Sequence, residues 1–130
     1  MYNSYPMSET DFIPFASGLA AFDAVNHRLV TADRELELPS RQLAVMRVLA
    51  AHVGEVVFHD ELIDHTQPGL TVQSDRYRQH LRLEQTIIRL RQNLDLLIPD
   101  LGNPWSDMGA IRNSYRRGYC LVDELGQRQR

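Results

Sequence analysis

Leu83, Ile87, Leu90, Leu94 and Leu97 recur at spacings of 4, 3, 4 and 3. That interval stacks side chains on one face of an α-helix and predicts a long helix over about 80–98 with this stripe buried. At about 100° per residue, the reverse face carries Arg78, Arg82, Gln85, Arg89 and Gln92, with no acid among them. Glu84 and Asp95 fall on one flank, with Arg91. Arginine suits the O6 and N7 acceptors of guanine and glutamine suits adenine N6 and N7, so the reverse face has the chemistry to read DNA. A solvated charged face is the competing reading.

Upstream the period is shorter. LAAFDAVNHRLVTADRELEL alternates in brief stretches punctuated at Val25-Asn26 and Ala32-Asp33, which predicts two or three antiparallel strands with one wet side. Leu36 and Leu38 share one face and Glu35 and Glu37 the other. After Pro39-Ser40, Leu43, Met46, Ala50 and Val53 fall at spacings of 3, 4 and 3 with Val45 and Leu49 beside them, an amphipathic helix ended by Gly54. Val56-Val57 leads into HDELIDHT, a short helix with Leu62 and Ile63 inward, stopped before Pro68-Gly69. The stretch IPDLGNPWSDMG has too many breakers for regular structure, and Trp105 is expected to clamp it to the domain. AIRNSY and RGYCLV read as two strands closed by a turn through Arg116 to Gly118. Residues 1–16 show no period and read as a flexible arm whose Phe12, Ile13 and Phe15 tack onto the domain. The organisation expected is an arm over 1–16, one domain over 17–124 and a tail over 125–130.

At 130 residues the chain has the length of a single domain with a conventional core. Its apolar runs are short and broken by charge, and MYNSYPMSETDF lacks the basic and apolar regions of a signal peptide. No membrane partner and a cytoplasmic location are expected. Cys120, the sole cysteine, makes no intrachain disulfide and sits in an alternating run, as a packed strand residue does.

Charge changes the picture more than composition does. The net charge is −3, yet residues 1–75 hold four Arg against eleven Asp and Glu, and residues 76–117 hold eight Arg against four. A basic face can attract phosphates even on an acidic molecule. All fourteen cations are Arg, the side chain suited to bidentate phosphate and guanine contacts.

Catalytic chemistry finds little support. His59 and His65 in HDELIDH stand six apart and point in different directions on a helix, so a metal site is not expected, although Glu61 and His65 could pair. There is no Gly-rich phosphate loop, no G-x-S-x-G elbow and no evident His partner for Cys120. Neither an enzyme nor a cofactor is expected.

Taken in order, LELPSRQLAVMRVLAAHVGEVVFHDEL, RLEQTIIRLRQNL and IRNSYRRGYCLV resemble the winged helix-turn-helix DNA-binding domain of the OmpR/PhoB class, the output module of many bacterial two-component response regulators. The resemblance covers roughly residues 18–123. It implies an α+β fold with an N-terminal four-stranded antiparallel sheet, three helices and a C-terminal β-hairpin wing. It further implies a transcriptional regulator of double-stranded DNA, its third helix in the major groove and its wing, about 110–122, on the minor groove or its phosphates. The outward positions carried over are Arg82, Gln85, Thr86, Ile88, Arg89 and Arg91, of which Arg89 best matches a base-contacting arginine. In the wing, Tyr115 stands where arginine is frequent, Arg116 and Arg117 form a cationic tip, Gly118 supplies backbone freedom for the turn, and Tyr119 anchors the wing on the third helix.

Departures from the class are also legible. Pro39 replaces a capping Thr, leaving Ser40 to serve only if the helix starts one residue later, and Phe58 replaces a Ser. Ile88 replaces a frequent cation, which implies fewer phosphate contacts or the reading of a thymine methyl. The loop over 66–80 is longer than usual, and in the class it touches RNA polymerase. Seventeen preceding residues cannot hold the phosphorylatable receiver domain, so control by abundance, ligand or partner is expected, with binding as a dimer or in tandem. The alternative is a protein-interaction module whose acidic N-terminal half docks a basic partner or RNA polymerase.

Overall fold

The computed structural model of the chain describes residues 12–67, 75–114 and 117–126. It begins with a four-stranded antiparallel meander of β1 (Phe12–Phe15), β2 (Ala20–Asp23), β3 (Arg28–Val30) and β4 (Glu35–Glu37), in that spatial order. Phe12–Phe15 is thus an edge strand and not part of an arm. Four residues with Pro14 among them are too few to show alternation, but an edge strand tolerates proline, and Phe15 is fully buried.

Phe22, Leu29 and Leu36 stand opposite one another in register and face the main core. The other side is drier than the alternation predicts, because Phe12, Ala21 and Val30 form a small cluster of their own there. Between β2 and β3 the Asp23 carboxylate accepts backbone hydrogen bonds from Val25 and Asn26 at 3.1 and 3.0 Å, closing the turn.

Helix α1 (Ser40–Ala50) starts after an extended Pro39 and has no side-chain cap, so Ser40 is a helical residue and does not cap. Its buried face is Gln42, Val45, Met46, Leu49 and Ala50, rotated from the stripe expected at Leu43, Met46, Ala50 and Val53. Leu43 and Val53 are only half-buried. Gln42 is what apolar spacing could not show: buried, it accepts a 2.5 Å hydrogen bond from Asn93 Nδ2 on the third helix.

Strand β5 (Val56–Phe58), helix α2 (His59–Thr66) and helix α3 (Arg76–Leu97) follow, then the hairpin β6 (Ile111–Ser114) and β7 (Gly118–Leu121). Helix α3 begins four residues before the expected start and, at 22 residues, runs about 33 Å. Leu83, Ile87, Leu90, Leu94 and Leu97 are all buried on it. The brief Val56-Val57 run is recruited beside the hairpin, giving a second sheet in the order β5-β7-β6. Val57 pairs with Tyr119, and Asn113 pairs with Tyr119 from the other side.

Gly118 is required for a reason other than turn freedom. It is not at positive φ; instead, a Cβ there would fall on the carbonyl oxygen of Val57 in β5. Cys120 packs in the same strand, as expected of a strand residue.

The loop between α3 and β6 is held without Trp105, which is 91% exposed. Its clamps are the Asp95 carboxylate accepting from the Gly102 amide at 2.8 Å, Ala110 N–H donating to Leu101 O at 2.7 Å, and the Arg112 guanidinium donating to Ser106 and Asp107 carbonyls. Backbone bonds from Ala16 and Ser17 to Val122 and Asp123 join the end of the first sheet to the end of the second. No helix among the described residues is long and apolar enough to cross a membrane.

Candidate nucleic-acid interface

Burying the Leu83-to-Leu97 stripe forces the reverse side of α3 into solvent. Arg78, Gln85, Ile88, Arg89 and Gln92 are exposed there, and Arg82 is half-buried. Thr86 departs from the expected outward position. It is 6% exposed, and its hydroxyl donates back to the Arg82 carbonyl at 2.8 Å. Buried beside the start of α1, it lines the space between the two helices and does not face outward.

Arg82, Gln85, Thr86 and Arg89 line a cleft of about 340 Å³ against Pro39, Ser40, Arg41 and Gln42. The first turn of α1 carries no acid and no side-chain cap, so its free amides add positive potential to the guanidiniums of Arg41, Arg82 and Arg89. Arg41 was not singled out by sequence reasoning. Its signal was position alone, one residue into a helix that starts at Ser40.

Arg91, expected among the outward recognition positions, is turned toward the wing. Its Nη2 donates to Ile111 O at 2.7 Å and to Asn113 Oδ1 at 2.8 Å, and its guanidinium carbon lies 5.7 Å from the centre of the Tyr119 ring. Burial lowers the arginine from its ordinary range, against the opposing influence of Tyr119, and burial pushes the tyrosine phenol up. Arg91 stays cationic and Tyr119 neutral near pH 7. Tyr119, 7% exposed, therefore anchors the wing on α3 through Arg91, as expected, and also meets α2 through His59 at a ring distance of 5.2 Å. Arg117 is exposed at the entry to β7, and its carbonyl accepts from the His59 amide at 2.8 Å. Tyr115 and Arg116 lie outside the described residues, as do residues 68–74 of the loop expected to touch RNA polymerase.

Acids gather at the junction of α2 and α3. Arg76 bridges Asp60 at 3.0 Å and Asp64 at 3.3 Å, and His80 Nε2 lies 3.7 Å from Asp60. His59 meets His80 edge-on at 5.8 Å. Desolvation and then the charge of His80 lower its pKa, against Asp60 and Glu84, which raise it. His65 bonds the Glu61 backbone carbonyl at 2.9 Å, not the carboxylate. Among the described residues no ion pair engages Arg78, Arg82 or Arg89, so the open cationic surface of α3 lies on its α1 flank.

No family model and no curated protein matches the chain. Solved structures do. The DNA-binding domain of Escherichia coli CadC superposes with a TM-score of 0.59 at 27% identity, over 81% of this chain and 87% of that one. The Klebsiella pneumoniae RstA DNA-binding domain in complex with RstA box gives 0.61 at 23% identity, covering 86% and 97%. Thermotoga maritima DrrB, a response regulator described as an OmpR/PhoB homolog, gives 0.64 at 18% identity, over 86% of this chain and 44% of that one. With its N-terminal sheet, three helices and anchored C-terminal hairpin, the chain has the winged helix-turn-helix fold shared by these DNA-binding domains and the OmpR/PhoB homolog.

Proposed function

We propose that this chain is a sequence-specific double-stranded DNA-binding transcriptional regulator, with α3 in the major groove and the wing, about 110–122, on the minor groove or its phosphates. The observation that carries the reading is the unpaired Arg78, Arg82 and Arg89 flank of α3, with Gln85 and Gln92 beside it, on a molecule whose net charge is negative. A folding domain gains nothing from grouping bare cations, whereas a groove about 12 Å wide between phosphate rows admits one helix and rewards that grouping. The CadC domain's description as DNA-binding and the RstA domain's complex with its box support the same assignment. Arg41 joins Arg82 on the phosphate side, Arg89 and Gln85 face bases, and Arg117 meets the backbone from the wing. Dimeric or tandem binding and contact with RNA polymerase through the 66–80 loop belong to this reading.

The test is fluorescence anisotropy of the whole chain on labelled fragments of its own upstream region and on a shuffled control, at two salt concentrations. Tighter, salt-sensitive binding to the native fragment is the expected result. Absence of binding to either fragment at low salt would remove the assignment and turn the search toward a basic protein partner for the acidic N-terminal half.

A further inference from the structure

The line of α3 pointing most directly away from its buried stripe is not its most cationic one. It holds Leu81, Gln85, Ile88 and Gln92, with Tyr77 at its start. Leu81 is 40% exposed, Ile88 54% and Tyr77 72%. Single exposed apolar residues are ordinary on a surface, but the arrangement of these is specific. Leu81, Gln85 and Ile88 stand at i, i+4 and i+7, opposite the core stripe. The unpaired arginines Arg78, Arg82 and Arg89 border the line on one side and Glu84 borders it on the other. The line is also narrow and broken by Gln85, unlike the contiguous patch of a few hundred Å² that marks a protein-docking surface.

Seven residues of helix rise about 10.5 Å, the length of about three base-pair steps of roughly 3.4 Å. The major groove presents one apolar group at the base edges, the C5-methyl of thymine. Glu84 repels phosphate, which keeps this line at the groove floor while Arg78 and Arg82 on the arginine flank meet a phosphate row. We propose that Leu81 and Ile88 read thymine methyl groups on either side of a base pair met by Gln85, so that the selected duplex carries A·T pairs about two to three steps apart. This deepens the DNA-binding reading above and rests on it.

The probe is a duplex selected by the whole chain from a random-sequence library, then remade with each thymine in turn replaced by deoxyuridine. That exchange removes one methyl and leaves every hydrogen-bonding group in place. Wild-type protein should bind about fourfold more weakly at two positions, the effect of one methyl-sized apolar contact. Leu81→Ala and Ile88→Ala should each abolish the thymine preference at one of them, while Arg89→Ala keeps both preferences. Both alanine variants replace exposed helical residues with the strongest helix former, and unchanged circular dichroism would verify the fold. Equal affinity for thymine and deoxyuridine throughout, or a selected site without thymine, overturns the methyl reading and leaves DNA binding standing. Thymine preference that persists in both alanine variants overturns the residue assignment. No duplex retained at any salt concentration overturns DNA binding and this inference together.

Discussion

Replacing Arg91 with alanine removes two hydrogen bonds from a cation, to Ile111 O and Asn113 Oδ1, and uncovers the ring of Tyr119. Bonds of this kind contribute about 1.5–3 kcal/mol, so urea unfolding of Arg91→Ala should show a loss of that order. A variant as stable as the parent would mean that the wing is held by Tyr119 packing alone. His59 predicts a pH dependence. Desolvation holds its folded pKa below the ordinary imidazole value, with His80 adding to the effect. Below about pH 6.5 the unfolded chain therefore binds more protons than the folded one. Stability is full above that pH and declines as pH falls through the lowered folded value. Urea midpoints between pH 7.5 and 5 should drop for the parent and drop less for His59→Gln; parallel profiles would assign the decline to other groups.

At the level of elements, α3 serves three neighbours at once. Its leucine stripe fills the core, His80 and Arg76 face α2, and Arg91 fastens the wing. What remains outward is a narrower set than the helical wheel implies, because α1 covers Thr86 and the wing claims Arg91. Arg89 on α3 and Arg117 on the hairpin should then fail differently. Arg89→Ala should cost about 1–3 kcal/mol on the preferred duplex and relax specificity, while Arg117→Ala weakens preferred and random duplexes alike. Competition anisotropy with both duplexes separates the two. Equal losses on both for Arg89→Ala would make it a phosphate contact.

Over the whole molecule the two halves carry opposite charge, and part of that difference is cancelled internally where Asp60 and Asp64 take up Arg76. The effective cationic surface is therefore smaller than the eight arginines of residues 76–117 imply. Log affinity for DNA should fall by about 0.9 for each phosphate neutralised as log salt rises. Arg41→Ala should flatten that slope by about one unit, a value read from titrations at four salt concentrations. An unchanged slope would place Arg41 outside the contact surface.

Repetition along the chain was enough for the long third helix and its buried face, because a 22-residue amphipathic element repeats its signal over six turns. The order of segments was enough for the α+β class. Short or mixed elements needed the folded chain: Phe12–Phe15 is too brief to show a period, and Gln42 hides α1's true inner face. So did every choice between reading and support among side chains on one wheel. Thr86, Arg89 and Arg91 lie within a turn and a half of helix, and only the positions of α1 and the wing decide which is buried, which is open and which is tied. Local periodicity records which face of a helix is wet, whereas the neighbours that dry parts of that face come from residues more than 40 positions earlier or more than 20 further on. That information exists only once the chain has folded.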